Sequence, residues 1–391
     1  DAGSLEFDVG TLTLEKGGVT TETFGSGNAG SITIRGDPLN LTGTAKLTSS
    51  TSASGRAGSI LIDLINLSVL EDALITTETS GSGDAGSIVM NLTQLDVLNG
   101  GRISSQSSSS GEAGLISLNA VKANLADGTI TTQTSGKGNA GSVTVQARNL
   151  AVAHGGTISS GTSSSGRGGQ IDVSALHLNV KGGTITTETS GTGDAGEVSV
   201  SASKSIVVRQ DGTIDSLSES TGDAGSVVVG AEFLRVSTRG KISTEARGLG
   251  NAGSIEVTAD ELTVELAGGI TATTLQSGRG GSISVDAVDI EVKTDGKIEA
   301  RPTGLGRAGD ISIDATNLAI KYGGEVTAAS SGTGRGGDIG ITAKDVLIKD
   351  SDSGIFAESS ADGDGGEIRL HVTGENTLRM QNGAQISSRA T

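Results

Sequence analysis

Glycine recurs in this chain at a fixed interval, and that interval constrains the fold more than any other feature. The last residue of a short Ala-Gly or Gly-Gly step falls at positions 3, 30, 58, 86, 114, 141, 169, 196, 225, 253, 281, 309, 337 and 366. These fourteen markers lie 27 to 29 residues apart. A period between about 20 and 50 residues is the mark of a solenoid, propeller or other array, in which one small unit is copied and stacked. A chain of 391 residues would otherwise suggest two or three globular domains. An array grows along one axis instead, so residues 1–391 read as a single repeat array.

Each repeat contains three short strand-like runs. The first begins two residues after the marker and alternates aliphatic with polar residues, as in Ile32/Ile34, Ile88/Met90, Val143/Val145, Ile255/Val257 and Ile311/Ile313. Alternation with period two belongs to a strand with one buried face. The second run holds another such pair, as in Leu67/Val69, Leu150/Val152 and Leu262/Val264, and the insertions Ser203-Lys204 and Gly374-Glu375-Asn376 fall beside it. The third follows a Gly-Gly or Asp-Gly turn and reads like Ile75-Thr76-Thr77-Glu78-Thr79. If its Ile points inward, so do the residues two and four later, which are Thr, Ser or Ala almost throughout, with Pro302 the exception. Stacked hydroxyls there are expected to bond to one another along the axis. The outward position between them, carrying Glu22, Glu78, Gln106, Gln133, Glu188, Glu245 and Glu358, reads as a solvated face.

A closing loop of the form Ser-Gly-x-Gly, one variable residue, then Ala-Gly or Gly-Gly completes the repeat. A Gly stands three residues before the marker in all thirteen complete loops, from Gly27 to Gly363. Such insistence means either positive φ or a backbone packed too closely for a side chain. The fold expected is therefore all-β: a parallel β-helix, or β-solenoid, of about 14 coils of about 28 residues, with three strands per coil and like residues stacked on like. A propeller blade needs four strands in 40 or more residues, which this repeat is too short to supply.

The composition narrows the function. Gly is 63 of the residues, yet only two Pro occur and there is no collagen register. Disorder is excluded by the periodic aliphatic positions. The net charge of −17 argues against nucleic acid, which is bound through basic patches. Without Cys there is neither disulfide framework nor thiol chemistry, as suits an exported bacterial protein. No apolar run is long enough to span a membrane.

The segments Gly27–Ile34, Gly138–Val145 and Gly250–Val257, of the form Gly-Asn-Ala-Gly-Ser-Ile/Val-x-Ile/Val, are followed further along by Gly-Gly-x-Ile-Ser/Thr-Thr. In these the chain resembles, over its whole length, the repeat regions of filamentous-haemagglutinin-like bacterial exoproteins, common in cyanobacteria among others. The resemblance implies a right-handed β-helix outside the cell, working as a stalk, fibre or adhesin shaft. The chain enters at Asp1-Ala2-Gly3, near the end of a closing loop, and leaves at Ile386–Thr391, after a third strand. Solenoids need capped ends, and open strand edges pair with other chains. The expectation is a segment of a longer array, or a subunit that associates with itself head to tail or laterally as a homopolymer.

No cofactor is implied, and no catalytic, cofactor-binding or metal residue stands out. His154, His177 and His371 lie in different repeats without a shared spacing and read as surface or turn residues. There is no nucleophile elbow and no phosphate-binding loop. The variable loop position carries Asp84 then Glu112, and Asp194 then Asp223. In a stack such carboxylates would be near neighbours, a pairing that suits Ca2+ or a retaining glycosidase. The same column holds one basic run, Arg279, Arg307 and Arg335, placed to face an acidic glycan, with Asp310 and Asp338 positioned to pair with two of them locally. A β-helix enzyme would interrupt its repeat to build a cleft, whereas insertions here amount to one to three residues, so the expectation is not an enzyme. The leading reading is a structural extracellular shaft or filament subunit. The alternative is a binding module for an acidic polysaccharide or Ca2+ on one solenoid face.

Overall fold

A computed structural model describes residues 1–360, 363–373 and 377–390. The insertion Gly374-Glu375-Asn376 and the last residue, Thr391, lie outside the described residues. The chain forms two compact units, Asp1–Glu197 and Val198–Thr391. Each is a stack of coils built entirely from parallel strands, and no helix occurs among the described residues. Together the units account for the expected fourteen coils of a β-solenoid, seven in each.

In the first unit, residues one repeat apart pair directly. One aliphatic ladder runs Leu5, Ile32, Ile60, Ile88, Ile116, Val143 and Ile171. Its companion two residues on includes Val145 opposite Val173. The third runs stack as Val19, Leu47, Ile75, Ile103, Ile130, Ile158 and Ile185. Within the stack these side chains are removed from water almost completely, each worth roughly 1.5–3 kcal/mol. A coil buries them only against its neighbours, so the stack is the stable unit. The second unit repeats the plan, with ladders from Val198 to Ile368 and from Ile214 to Ile386.

The three expected runs are distinct strands in the first three coils, for example Leu5–Val9, Leu12–Glu15 and Gly18–Thr23. From Ile88 to Lys349 the first two fuse into one long strand, such as Ile116–Ala126 or Ile283–Lys293. The fused strand still turns a corner. In Ile116–Ala126 the inward residues are Ile116, Leu118 and Ala120, then Ala123 and Leu125, so Val121 and Lys122 both face out. Pairing skips Val121, passing from Ala120 opposite Ala147 to Lys122 opposite Asn149. Alanines occupy the inside of this corner in most coils (Ala120 and Ala147 in the first unit; Ala202, Ala259, Ala287, Ala315 and Ala343 in the second), with Leu92 in the place of Ala120 one coil earlier. The Ser203-Lys204 insertion is absorbed here as a register shift between Ala202 and Ser205.

Two kinds of turn close the coil. Before the third strand, pairs such as Asn99-Gly100, His154-Gly155 and Tyr322-Gly323 take positive φ at both residues, the hairpin-like turn that Asn and Gly accept most cheaply. In the closing loop the glycines are needed for closeness instead. A Cβ on Gly83 would lie 1.9 Å from the Gly55 carbonyl oxygen, and one on Gly86 would lie 2.0 Å from that of Gly58. Of the two explanations open from sequence, backbone approach is the one that applies.

The inward hydroxyls differ from expectation. Those two residues after the Ile bond to the marker glycines across the coil. Thr77 Oγ1 donates to the Gly86 carbonyl at 2.5 Å, and Ser105 Oγ donates to the same carbonyl at 3.1 Å while accepting from Gly114 N at 2.7 Å. Hydroxyl-to-hydroxyl bonds do form along the axis, but one residue earlier on the outward side: Ser104 Oγ to Thr76 Oγ1 at 3.0 Å and Ser159 Oγ to Thr131 Oγ1 at 2.8 Å. The loop glycines lie nearer to the inward hydroxyls than the next coil's side chains do, and they carry backbone groups that burial would otherwise leave unpaired.

Candidate functional site

The variable loop column is a ladder of side chains that cap the neighbouring backbone. Asn28 Oδ1 accepts from Arg56 N at 2.9 Å, Asn139 Oδ1 from Arg167 N at 2.9 Å and Asn251 Oδ1 from Arg279 N at 2.9 Å. The first acidic pair joins this pattern. Asp84 Oδ1 accepts from Glu112 N at 3.1 Å and its Oδ2 lies 3.3 Å from Arg56 Nε, while Glu112 Oε1 accepts from Asn139 Nδ2 at 3.0 Å. Each carboxylate accepts from a donor of a neighbouring coil. Of the second pair, Asp194 lies in the first unit, and Asp223 lies in the second, where its Oδ1 accepts from Asn251 N at 2.7 Å. Among the described residues no three His, Cys, Asp or Glu side chains come together as a metal ligand set.

The basic run is partly neutralised where it stands. Arg307 Nη2 lies 3.1 Å from Asp310 Oδ1 and 3.5 Å from Asp338 Oδ2, and Arg335 Nη2 lies 2.9 Å from Asp338 Oδ1. Arg279, whose loop continues with Ser282 instead of Asp, is exposed. His154 is an exposed turn residue with φ 49°, and His177 and His371 are exposed on strands. The sequence candidates are thus distributed along each stack.

A concave feature of the first unit lies on the outer face of its third strands. A groove of about 290 Å3 crosses the coils from Glu78 to Ser190 and is lined only by Glu, Gln, Ser, Thr and Gly. One wall is the outward column Glu78, Gln106, Gln133, Gly161 and Glu188. The other rim is the exposed serine column just past each strand, including Ser108, Ser135 and Ser163. Thr131 and Ser159 form the floor. Expected as a solvated face, the wall column is half-buried at Gln106 and Gln133.

The reason lies in how the wall is tied down. Gln106 Nε2 donates to Ser104 Oγ at 3.2 Å, and Arg102 Nη2 donates to Gln133 Oε1 at 3.3 Å. Ser104, though outward, is thereby fully buried. Burial pushes the Arg102 guanidinium below its usual range, and Arg102 Nε finds no acceptor among the described residues. Gly161 gives the wall no side chain of its own and is covered by that of Glu188, whose Cγ lies 2.8 Å from where a Cβ would stand; Ser159 below is half-buried where Ser104 is buried. The sequence holds this signal as a lone Gly in a column of Glu and Gln, but it has meaning only once the columns are known to stack.

Comparisons of the chain with protein-family models, with curated proteins and with solved structures return no match.

Proposed function

We propose that this chain is a structural spacer: a shaft segment of an extracellular bacterial fibre or adhesin. Its task is to hold length and resist proteolysis while presenting an acidic, repetitive surface. The observation that carries the reading is the near-unbroken register within each unit, where every coil pairs with the next residue for residue and the Ser203-Lys204 insertion is taken up as a local shift. Repetition without interruption adds a fixed rise per coil, about 4.8 Å, or roughly 30 Å for seven coils. A chain under selection for a cleft would break the ladder to build one. Self-association along the coil axis by strand addition is the assembly mode this architecture favours.

The reading is tested by removing two coils, residues 86–140, from the first unit. A spacer joins Ala85 to Gly141, keeps its register and melts with the same cooperativity at slightly reduced length. Loss of folding would contradict it. Antibody labelling of intact producing cells supplies the second check. A chain found only after cells are opened is no extracellular shaft. Sedimentation over a hundredfold concentration range tests assembly, and a constant monomer would remove self-association from the proposal.

A further inference from the structure

We propose that the groove on the first unit's third strands binds an extended, neutral, β-linked hexose chain lying along the coil axis. The lining defines the occupant chemically. It contains no aliphatic or aromatic side chain, which leaves a lipid or an apolar peptide nothing to displace water onto. What it offers is a row of donors and acceptors. Gln133 has its oxygen engaged by Arg102, which turns its NH2 group to the ligand as a donor, whereas Gln106 has given an N–H to Ser104 and keeps its oxygen as an acceptor. A ligand that both donates and accepts at every step is a polyol.

Charge excludes the acidic members of that class. Glu78 and Glu188 stand at the two ends of the wall, and residues 1–197 carry 18 acidic against 10 basic side chains. A uronate or phosphate chain would meet like charges at both ends. Spacing excludes an extended peptide. The groove runs across the strands, so its chemistry repeats once per coil, about 4.8 Å, whereas a β-strand peptide advances about 3.3 Å per residue. One hexose of an extended β-1,4-linked chain advances by nearly one coil, and because successive rings are turned over, every second sugar presents the same edge to the wall. With the Glu188 side chain swung off Gly161, that position serves as the deepest subsite, where a ring hydroxyl reaches Ser159 and Thr131.

The test is calorimetric titration of the full chain with cellohexaose, chitohexaose, maltohexaose and polygalacturonate, alongside two variants. Without an aromatic platform the affinity rests on hydrogen bonds, so a Kd of roughly millimolar is expected for the β-linked hexamers. Maltohexaose, whose α-linked chain curls, and polygalacturonate should bind at least about tenfold more weakly. In Gly161→Gln the new side chain completes the wall and fills the subsite. Its Cβ would meet Glu188 Cγ at 2.8 Å, which can swing aside, and the Glu188 backbone oxygen at 3.2 Å, which must give by a few tenths of an ångström; a folded variant should lose about tenfold or more in affinity. Gln133→Ala removes a wall donor without adding bulk and should lose about fivefold. The proposal is overturned if neither β-linked hexamer saturates the protein, if polygalacturonate or maltohexaose binds as well as they do, or if Gln133→Ala and Gly161→Gln both bind like the parent. Should Gly161→Gln misfold, Gln133→Ala alone decides.

Discussion

The first seven coils and the second seven share their aliphatic ladders but fasten the third strand to the closing loop differently. In the first unit every coil places a hydroxyl two residues after the Ile or its equivalent, and Thr alternates with Ser: Thr21, Ser49, Thr77, Ser105, Thr132, Ser160, Thr187. Thr reaches the marker glycine of its own coil, as Thr132 Oγ1 does to the Gly141 carbonyl at 2.6 Å. Ser reaches back to that same carbonyl, Ser160 Oγ at 2.7 Å, and accepts from its own marker, Gly169 N, at 3.0 Å. In the second unit the pattern continues through Ser216 and Thr244, gives way to Ala272, Ala300, Ala328 and Ala357, and returns in the last coil, where Ser388 donates to the Gly366 carbonyl. At two of these the strand's own carbonyl takes over, with Gly337 N donating to Ala328 O at 3.0 Å and Gly366 N to Ala357 O at 2.9 Å. The strands shorten accordingly, to Glu325–Thr327 and Gly354–Phe356. Where the loop bonds to its own strand, residues leave the ladder; at Ala272, also without a hydroxyl, the strand keeps its full span, Gly269–Thr274. Outside, the second unit carries a chain of ionic contacts (Arg235, Glu265, Lys293, Glu291, Lys321) that cross from coil to coil.

What the units have in common should respond alike and most severely. Gly86→Ala in the first and Gly309→Ala in the second each place a Cβ 2.0 Å from a carbonyl oxygen of the preceding coil. The obstacle is backbone, which cannot rotate away, so each substitution is expected to cost about 3 kcal/mol or more in denaturant unfolding. A unit that tolerated its alanine would show that its coils are not held at strand spacing. The next effect separates the units. Ser160→Ala strands the buried Gly169 N–H, for a loss of about 2 kcal/mol. Ala328→Ser adds a hydroxyl at a fully buried site where the loop N–H already has a partner, so it should gain no stability and cost about 1 kcal/mol at most. Equal effects at the two sites would erase the distinction between hydroxyl and backbone fastening.

The ladders were readable before any coordinates because the same residue types return to the same phase fourteen times. Gly83 and Gly86 were readable as obligatory glycines, but only coordinates could choose between φ and crowding. The Thr/Ser alternation was also present in the letters: Ile75-Thr76-Thr77 against Ile103-Ser104-Ser105, then Ile130-Thr131-Thr132 against Ile158-Ser159-Ser160. Averaging over a 28-residue period hides a two-coil repeat, since Thr and Ser count as the same kind of residue until their partners are known. The pairing of Asp84 with Glu112 was correctly placed in adjacent coils, yet sequence does not say which way a carboxylate turns. Each faced an N–H donor, and a backbone amide or a neighbouring Asn competes for it without desolvating a bare ion. Gln106 and Gln133 looked solvated because the lateral reach of Arg102 across a coil boundary leaves no trace in spacing.

Acid should separate the units by a smaller margin. Burial alone would raise the Glu291 carboxyl, but hydrogen bonds from Lys293 and Lys321 overcome it and hold the group below its ordinary value. Hydrogen bonding to Arg239 likewise holds Asp211 down. A depressed carboxylate contributes stability that is fully present above its unfolded pKa, near 4.3 for Glu, and that is lost as pH falls through the folded value. The hydroxyl bonds of the first unit have no proton to gain in that range. Hydrogen exchange followed by mass spectrometry, expressed as protection factors, should therefore show residues 235–321 losing protection below about pH 4 before residues 75–190. Simultaneous loss, or loss first around Thr132 and Ser160, would mean that the ionic chain contributes nothing to the second unit's cohesion.

Salt probes the same chain more gently, because screening weakens a charge that protonation abolishes. The Debye length falls from about 10 Å at 0.1 M to about 3 Å at 1 M, comparable with the 2.5 Å between Lys321 Nζ and Glu291 Oε1. Exposed pairs such as Arg239–Asp211 are worth little to begin with. Glu265, with a side chain only 10% exposed, is reached least by mobile ions, so Arg235–Glu265–Lys293 should be the part that persists. Raising the salt to 1 M should cost the second unit less than about 1 kcal/mol, read as a few-fold faster exchange concentrated at Glu291–Lys321 and fading toward Arg235. The first unit, fastened by uncharged hydroxyls, should hold its rates. An equal response in both would place the difference between the stacks in their backbone fastening alone and leave the charges as surface.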